Sequence, residues 1–462
     1  MLSDEIPFLA PEVAAARLRP LGGLALLDSA MRHETLGRYA FVAADPFATF
    51  TVNADGALLD GNRLPGPPLT ALGSVLDRFR CDTLPGLPPF QGGAIGVIGY
   101  DFAHHLERLA SPGDLDPAEP SLRLNLYDTV LALDLQERRA FLIASGHPAE
   151  GPDRLARARE RLGAFRQALS RPSRHEADAG LPSPGLDWRS NFLAADYRAA
   201  IERVREYILD GDIFQANIAQ TFSAALPEGF DPFALYLKLR RTNAAPFGAY
   251  LDYPGLQIAS SSPERFLKLA GRAVEARPIK GTAKRSADSA QDRALAAALL
   301  ASDKDRAENV MIVDLLRNDL SRVCEPDSVE VPVLCGLESY AAVHHLTSVV
   351  TGRLRGGMTA TDLVAASFPG GSITGAPKIR AMDIITEIER TARGAYCGSI
   401  GYFGFDGSMD LNIAIRTVSF SRGRARLSAG GGITVLSDPA AEYEETFTKA
   451  MRVFAAFEGD RP

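Results

Sequence analysis

The apolar positions of this chain gather in short runs bounded by glycine and proline, and they predict strands interleaved with helices. Residues 24–43 (LALLDSAMRHETLGRYAFVA) read as two apolar strands around a polar turn. Pro89 to Asp101 (PFQGGAIGVIGYD) carries glycines at 92, 93, 96 and 99 inside an apolar run, which marks a strand closely approached by another backbone. Leu122 to Ala144 reads as a hairpin, with Val130, Leu131 and Leu133 before the turn and Phe141, Leu142 and Ile143 after it.

Helical spacing appears elsewhere. Residues 150–167 are rich in arginine, glutamate and alanine. Ala195 to Leu209 puts Ile201, Val204, Tyr207 and Ile208 on one stripe, with Asp196 as the expected cap. Asp292 to Leu320 reads as one helix, with Val310, Val313, Leu316 and Leu320 facing inward. Strand-like runs follow at 328–335 and 412–420. The proline-bearing stretch 170–190 has few large apolar side chains. It predicts a linker or excursion at 171–189, between an N-terminal region (1–170) and a catalytic region (190–460).

Composition narrows the function classes. A chain of 462 residues can bury a sizeable core without disulfides. Its 50 basic and 57 acidic residues leave a net charge of −7, which excludes a broad electrostatic grip on nucleic acid. A small anionic substrate remains open, because a few local cations and N–H groups can hold one. The four cysteines (Cys81, Cys324, Cys335, Cys397) are scattered, without C-x-x-C, as expected of reduced thiols. Asp4 and Glu5 stand where a signal peptide needs positive charge, and no apolar run approaches 18 residues. The expectation is a cytoplasmic protein with no membrane span.

The candidate chemistry lies in the second half. Asp305 and Glu308 are three apart on a predicted helix, and so are Glu442 and Glu445 on another that runs to Phe457. Two such pairs could form an oxygen-rich Mg2+ site, or simply two solvated acidic faces. Lys280 in RPIKGT, with Arg277, Lys284 and Arg285 crowding it, could be a neutral, nucleophilic amine, or a surface lysine in a turn. FPGGSITGAPK (368–378) has P-loop glycine spacing, but Ala376 and Pro377 replace the Lys and Ser/Thr. What remains is a glycine turn that enters a helix with Pro377 in its first turn and could hold an anion. Gly430, Gly431 and Gly432 could expose three N–H donors as a carboxylate nest, or form a bulge. His344 and His345 should point in opposite directions in a strand. Arg416, inside an apolar strand, needs a carboxylate partner, either internal or from a substrate.

Read together, SSPERFL (261–267), PIKGT (278–282), ENVMIVDLLRNDL (308–320), VHHLTSVVTG (343–352), FPGGSITGAPKIRAM (368–382), RGAYCGSIGYFGFDG (393–407), NIAIRT (412–417) and GGGITVLSDPAAEYEET (430–446) resemble the chorismate-utilising family. That family includes the large subunits of anthranilate synthase and aminodeoxychorismate synthase, with isochorismate and salicylate synthases as cousins. Lys280 favours the aminodeoxychorismate branch, whose members carry PIKGT; anthranilate synthases, the alternative, carry PIAGT.

The resemblance implies an α/β (α+β) sandwich, two large antiparallel sheets with helices outside. It implies Lys280 as nucleophile, Glu264 as general acid/base and His345 near the departing C4 oxygen of chorismate. Glu308 and Glu445 would bind Mg2+, supported by Asp305 and Glu442. Gly281, Thr282, Ser372, Tyr396, Arg416, Gly430 to Gly432 and Lys449 would hold the substrate. Ser29, Pro246, Phe247 and Gly248, with Asp28 in place of a glutamate, stand where relatives form a tryptophan pocket. Since no glutaminase-like half is visible, ammonia is expected from a separate glutamine amidotransferase subunit or from free ammonium.

Overall fold

Alternating apolar runs give strands buried on one or both faces, and the fold stacks them as two antiparallel sheets. The computed structural model describes residues 1–31, 36–116, 119–173, 185–340 and 343–458. Among these, two twelve-stranded sheets form the core. In the first sheet, Leu2–Ile6, Arg139–Ala144, Thr129–Asp134, Tyr39–Ala43 and Ala25–Asp28 lead into Phe247–Tyr253, Leu256–Ser262, Thr417–Ser421, Arg424–Ile433 and Gln215–Ala225. The second runs from Ile279–Lys284 through Val343–Arg353 and Ser399–Gly404 to Gly93–Ile98, Leu122–Tyr127 and Ala48–Asn53.

Both sheets therefore join strands from either side of 171–189. The seams are Gly248 paired with Asp28 in the first sheet and Gly401 paired with Gly96 in the second. Residues 174–184 of the expected linker lie outside the described residues.

An aromatic layer fills the space between the sheets. Phe41 of the first sheet packs edge-on against Tyr402 of the second at 5.9 Å, and Phe90 lies 4.5 Å from Tyr402. All three are buried, each at roughly 1.5–3 kcal/mol of apolar transfer. Gly96 lets the sheets close. A Cβ there would stand 2.0 Å from the Arg123 carbonyl oxygen and 2.5 Å from the Tyr253 hydroxyl, which reaches across from the first sheet. Helices Pro11–Leu18, Gly151–Leu169, Pro232–Thr242 and Pro439–Phe457 cover the outside of the first sheet; Pro68–Arg78, Asp303–Ser321 and Ala360–Ser367 cover the second. No described helix is long and apolar enough to cross a membrane.

Several local expectations are corrected. The stretch 292–320 is two helices, Ser289–Leu300 and Asp303–Ser321, because the Ser302 hydroxyl caps the second by accepting from the Asp305 N–H. Val313, Leu316 and Leu320 are buried, but Val310 is exposed. Asp196 sits in the first turn of Ala194–Leu209, whose cap is Leu193. In 122–144 only Thr129–Asp134 and Arg139–Ala144 form the hairpin; Leu122–Tyr127 belongs to the other sheet. Pro377 is the cap of Lys378–Glu389, not its first turn.

The run 412–420 also divides, into Met409–Asn412 in the second sheet and Thr417–Ser421 in the first. Residues 413–416 cross between them. Arg416 is therefore not within a strand; it turns at φ 52°, in the left-handed region.

Candidate active site

Strands of both sheets and two outer helices line a cavity of about 530 Å3, a volume suited to a small organic ligand. Strand Ile279–Lys284 brings Lys280, Gly281 and Thr282 to its wall. Its neighbour Val343–Arg353 brings His345, which pairs with Thr282 across the ladder. Helix Asp303–Ser321 contributes Asp305 and Glu308, and helix Pro439–Phe457 contributes Glu442, Glu445 and Lys449. Glu264, Ser372, Tyr396, Arg416, Gly430 and Gly432 complete the set. Both acidic pairs thus line one cavity, although Glu445 remains 48% exposed.

Lys280 is 11% exposed, and its Nζ lies 4.0 Å from Glu308 Oε2. Burial holds its pKa below the ordinary lysine value, against the pull of Glu308; Lys449 adds to the depression. The expected crowd of Arg277, Lys284 and Arg285 is not the cause. Arg277 is turned to Glu338 and Arg285 to Asp292, because each has a carboxylate of its own.

Glu264 is buried and accepts a hydrogen bond from Ser372 Oγ at 2.7 Å. Burial pushes its pKa up to about 7, and the Ser372 bond only partly opposes this. A carboxyl half-protonated near neutrality can both give and take a proton. His345 Nδ1 lies 2.8 Å from Thr282 Oγ1. Burial, with the nearby charge of Arg416, pushes the imidazole down to about 4, so it is neutral at pH 7. The two histidines do face opposite ways, His345 to the cavity and His344 to Asp292 and Ser339, but both are buried.

Arg416 decides between its two readings. Among the described residues no carboxylate comes within ion-pair distance of its guanidinium. Burial lowers its pKa to about 10. A half-buried, unpartnered guanidinium facing a cavity is suited to a carboxylate that arrives with a ligand.

The glycine triplet does not form a nest. Gly430, Gly431 and Gly432 lie within strand Arg424–Ile433, paired with Ala219, Ile218 and Asn217, and none has positive φ. They provide room instead. A side chain at 431 would meet Glu442 Oε2 at 3.0 Å, and one at 432 would meet Lys280 Nζ at 3.3 Å.

The acids are unequal. Burial raises Glu308 and Glu442 above the usual carboxylate range. Burial would raise Glu445 too, but Lys449, 2.7 Å away, holds it low. Among the described residues no three acidic, histidine or cysteine side chains already converge to hold an ion. The donor set still suits Mg2+, which takes one or two protein carboxylates and completes its shell with water and ligand oxygens. Glu308 and Glu445, on facing helices, are the residues that would hold it.

Ser29, Pro246, Phe247 and Gly248 meet at the seam of the first sheet, and none of them lines this cavity. Ser29 Oγ donates to the carbonyls of Tyr39 (2.7 Å) and Pro246 (3.2 Å), and Arg265 lies over the Phe247 ring at 4.9 Å. Asp28 is held by Tyr236 and Arg240. The sequence reading missed Asn217, Asn243, Lys304, Thr448 and Arg452, which also line the cavity. Glu445, Thr448, Lys449 and Arg452 follow helical spacing, a signal that could have found the last two.

Family comparison matches residues 27–455 to the chorismate binding enzymes. An aminodeoxychorismate synthase component 1 from Salmonella typhimurium is 41% identical over 457 residues, covering 97% of this chain and 96% of its own. An anthranilate synthase component 1 from Streptomyces coelicolor is 40% identical over 400 residues, covering 85% and 77%. The crystal structure of anthranilate synthase component I from Streptococcus pneumoniae superposes with a TM-score of 0.82 at 32% identity, covering 92% of this chain and 94% of that one. The fold, the filled cavity wall and these matches agree: the chain belongs to the chorismate binding enzyme family.

Proposed function

We propose that this enzyme converts chorismate and ammonia to 4-amino-4-deoxychorismate through a covalent lysine intermediate. Relatives with two different names stand at 41% and 40% identity, so overall similarity does not separate the activities. The observation that carries the reading is the Lys280 amine, desolvated and opening into the cavity that also holds Glu264 and Arg416.

Arg416 binds one carboxylate of the chorismate dianion and sets the ring over Lys280. Lys280 Nζ, neutral, attacks C2. The ring double bonds shift and the C4 hydroxyl departs as water, with Glu264 supplying the proton. His345, neutral, lies beside the departing oxygen. The secondary ammonium formed at Lys280 passes its extra proton to the Glu264 carboxylate, which returns it to Lys280 when the C2–nitrogen bond breaks. Ammonia then attacks C4, the double bonds shift back, and the C2–nitrogen bond breaks to release Lys280. Mg2+ bound at Glu308 and Glu445 would neutralise the other carboxylate of the substrate. The ammonia comes from a glutamine amidotransferase partner.

Incubation with chorismate, Mg2+ and ammonium tests the reading by product identification. The expected product is aminodeoxychorismate, with glutamine replacing ammonium only when the amidotransferase is added. Fluorescent anthranilate as the main product, without any added lyase, would refute it.

Arg416→Lys keeps the charge but loses the bidentate fork. Its KM for chorismate is expected to rise about 10- to 100-fold with kcat changed by only a few-fold, read from steady-state kinetics. An unchanged KM would take Arg416 out of substrate binding.

A further inference from the structure

Of the lysines in the acid cluster, the mechanism leaves Lys304 and Lys449 without a step, and Lys304 is the less firmly held. Lys304 is the second residue of helix Asp303–Ser321, where the helix dipole disfavours a cation. Its side chain crosses to the facing helix, where its Nζ lies 3.9 Å from Glu442 Oε1. It shares the cavity with Asp305, Glu308 and Glu445.

The three lysines of the cluster are held differently. Lys280 is 11% exposed and faces Glu308. Lys449 is anchored at 2.7 Å to the Gly430 carbonyl and at 2.7 Å to Glu445. Lys304 is 46% exposed and, among the described residues, makes no hydrogen bond with its ammonium. It is the loosely held positive charge among carboxylates that otherwise repel one another.

We propose that Lys304 is a displaceable internal cation: it neutralises the carboxylate cluster in the metal-free enzyme and is expelled when Mg2+ enters. This rests on the reading of Glu308 and Glu445 as magnesium ligands. The cost of expelling the lysine weakens Mg2+ binding. Its long, flexible stem lets the ammonium swing into water without moving the helix. The device keeps the four acids from repelling each other before metal and substrate arrive.

Titration calorimetry with MgCl2 alone, on the full chain, tests this. Lys304→Met is expected to lower the Mg2+ Kd about fivefold, the scale of one partly exposed ion pair. Lys304→Arg should stay within about twofold of the unsubstituted enzyme, and the Lys304→Met difference should shrink at high salt. Lys304→Gln serves as a second neutral variant, with thermal melting to check its fold. An unchanged or weaker Mg2+ affinity in both neutral variants, while the unsubstituted enzyme binds Mg2+, overturns this inference and leaves the metal site standing. No Mg2+ binding by any of the proteins overturns both.

Discussion

Lys280→Ala is expected to lose aminodeoxychorismate formation by about 10³-fold or more, the scale at which removing a covalent nucleophile exceeds the loss of a binding contact. The amine it removes is desolvated, depressed in pKa and 3.3 Å from where a side chain at Gly432 would begin. Lys449, another amine on the cavity wall, is tied to Glu445 and the Gly430 carbonyl.

The substitution also recreates the PIAGT sequence of the anthranilate branch. Ammonia could then attack C2 directly, and a minor anthranilate product is expected, read by its fluorescence. Intact-mass analysis of the unsubstituted enzyme with chorismate should show an adduct of chorismate minus water that is absent from Lys280→Ala. The rate of adduct formation should rise with pH until the lysine is deprotonated, since only the neutral amine attacks. Undiminished activity in Lys280→Ala, with no adduct on the unsubstituted enzyme, would refute the covalent route.

Glu264→Gln is expected to cut turnover about 10²- to 10⁴-fold, the usual contribution of a positioned acid/base group. It should also stabilise the protein in alkaline solution. The folded pKa of about 7 lies above the ordinary 4.5, so the folded state keeps a proton that the unfolded chain releases between these values. Stability therefore falls as pH rises through that window. Above pH 7 the ionised, buried carboxylate costs roughly 3 kcal/mol that glutamine would not. Glutamine can still accept the hydrogen bond from Ser372. The melting temperatures of the two proteins should coincide near pH 4 and separate by pH 8, the variant higher. Full activity in Glu264→Gln would remove Glu264 from the proton transfers. Equal melting at pH 8 would show that its carboxylate is not desolvated.

How much of this was legible in the sequence depended on the kind of signal. The i, i+3 spacing of Asp305 with Glu308 and of Glu442 with Glu445 put each pair on one helix face, because helix geometry is local. That the two faces look at each other is a property of the sheets between them, and the family resemblance was needed to expect it. The sequence singles out Lys280 by its charged neighbours, and the structure puts it on the cavity wall, where burial rather than Arg277 and Arg285 depresses its pKa. Burial is a tertiary quantity that no local charge count gives.

The missed breaks share a cause. At Ser302 one cap hydroxyl divides an otherwise continuous apolar period. At Arg416 the chain leaves one sheet for the other within a run that keeps its strand-like composition. In both places the hydrophobic pattern continues while the backbone does not. Gly430 to Gly432 show the converse: three residues that suggest a turn are held extended by ladder bonds to Asn217, Ile218 and Ala219.

The seam at Gly93–Ile98 bears on how the chain is made. All six residues of that strand are buried, and one of its edges is covered by Ser399–Gly404, synthesised about 300 residues later. At ~5–20 residues per second the ribosome needs roughly 15–60 s to deliver that partner. Through this interval an oily, unzipped strand margin waits beside the growing polypeptide. Until the matching strand arrives, that margin is a place where a newborn chain can pair with the wrong partner.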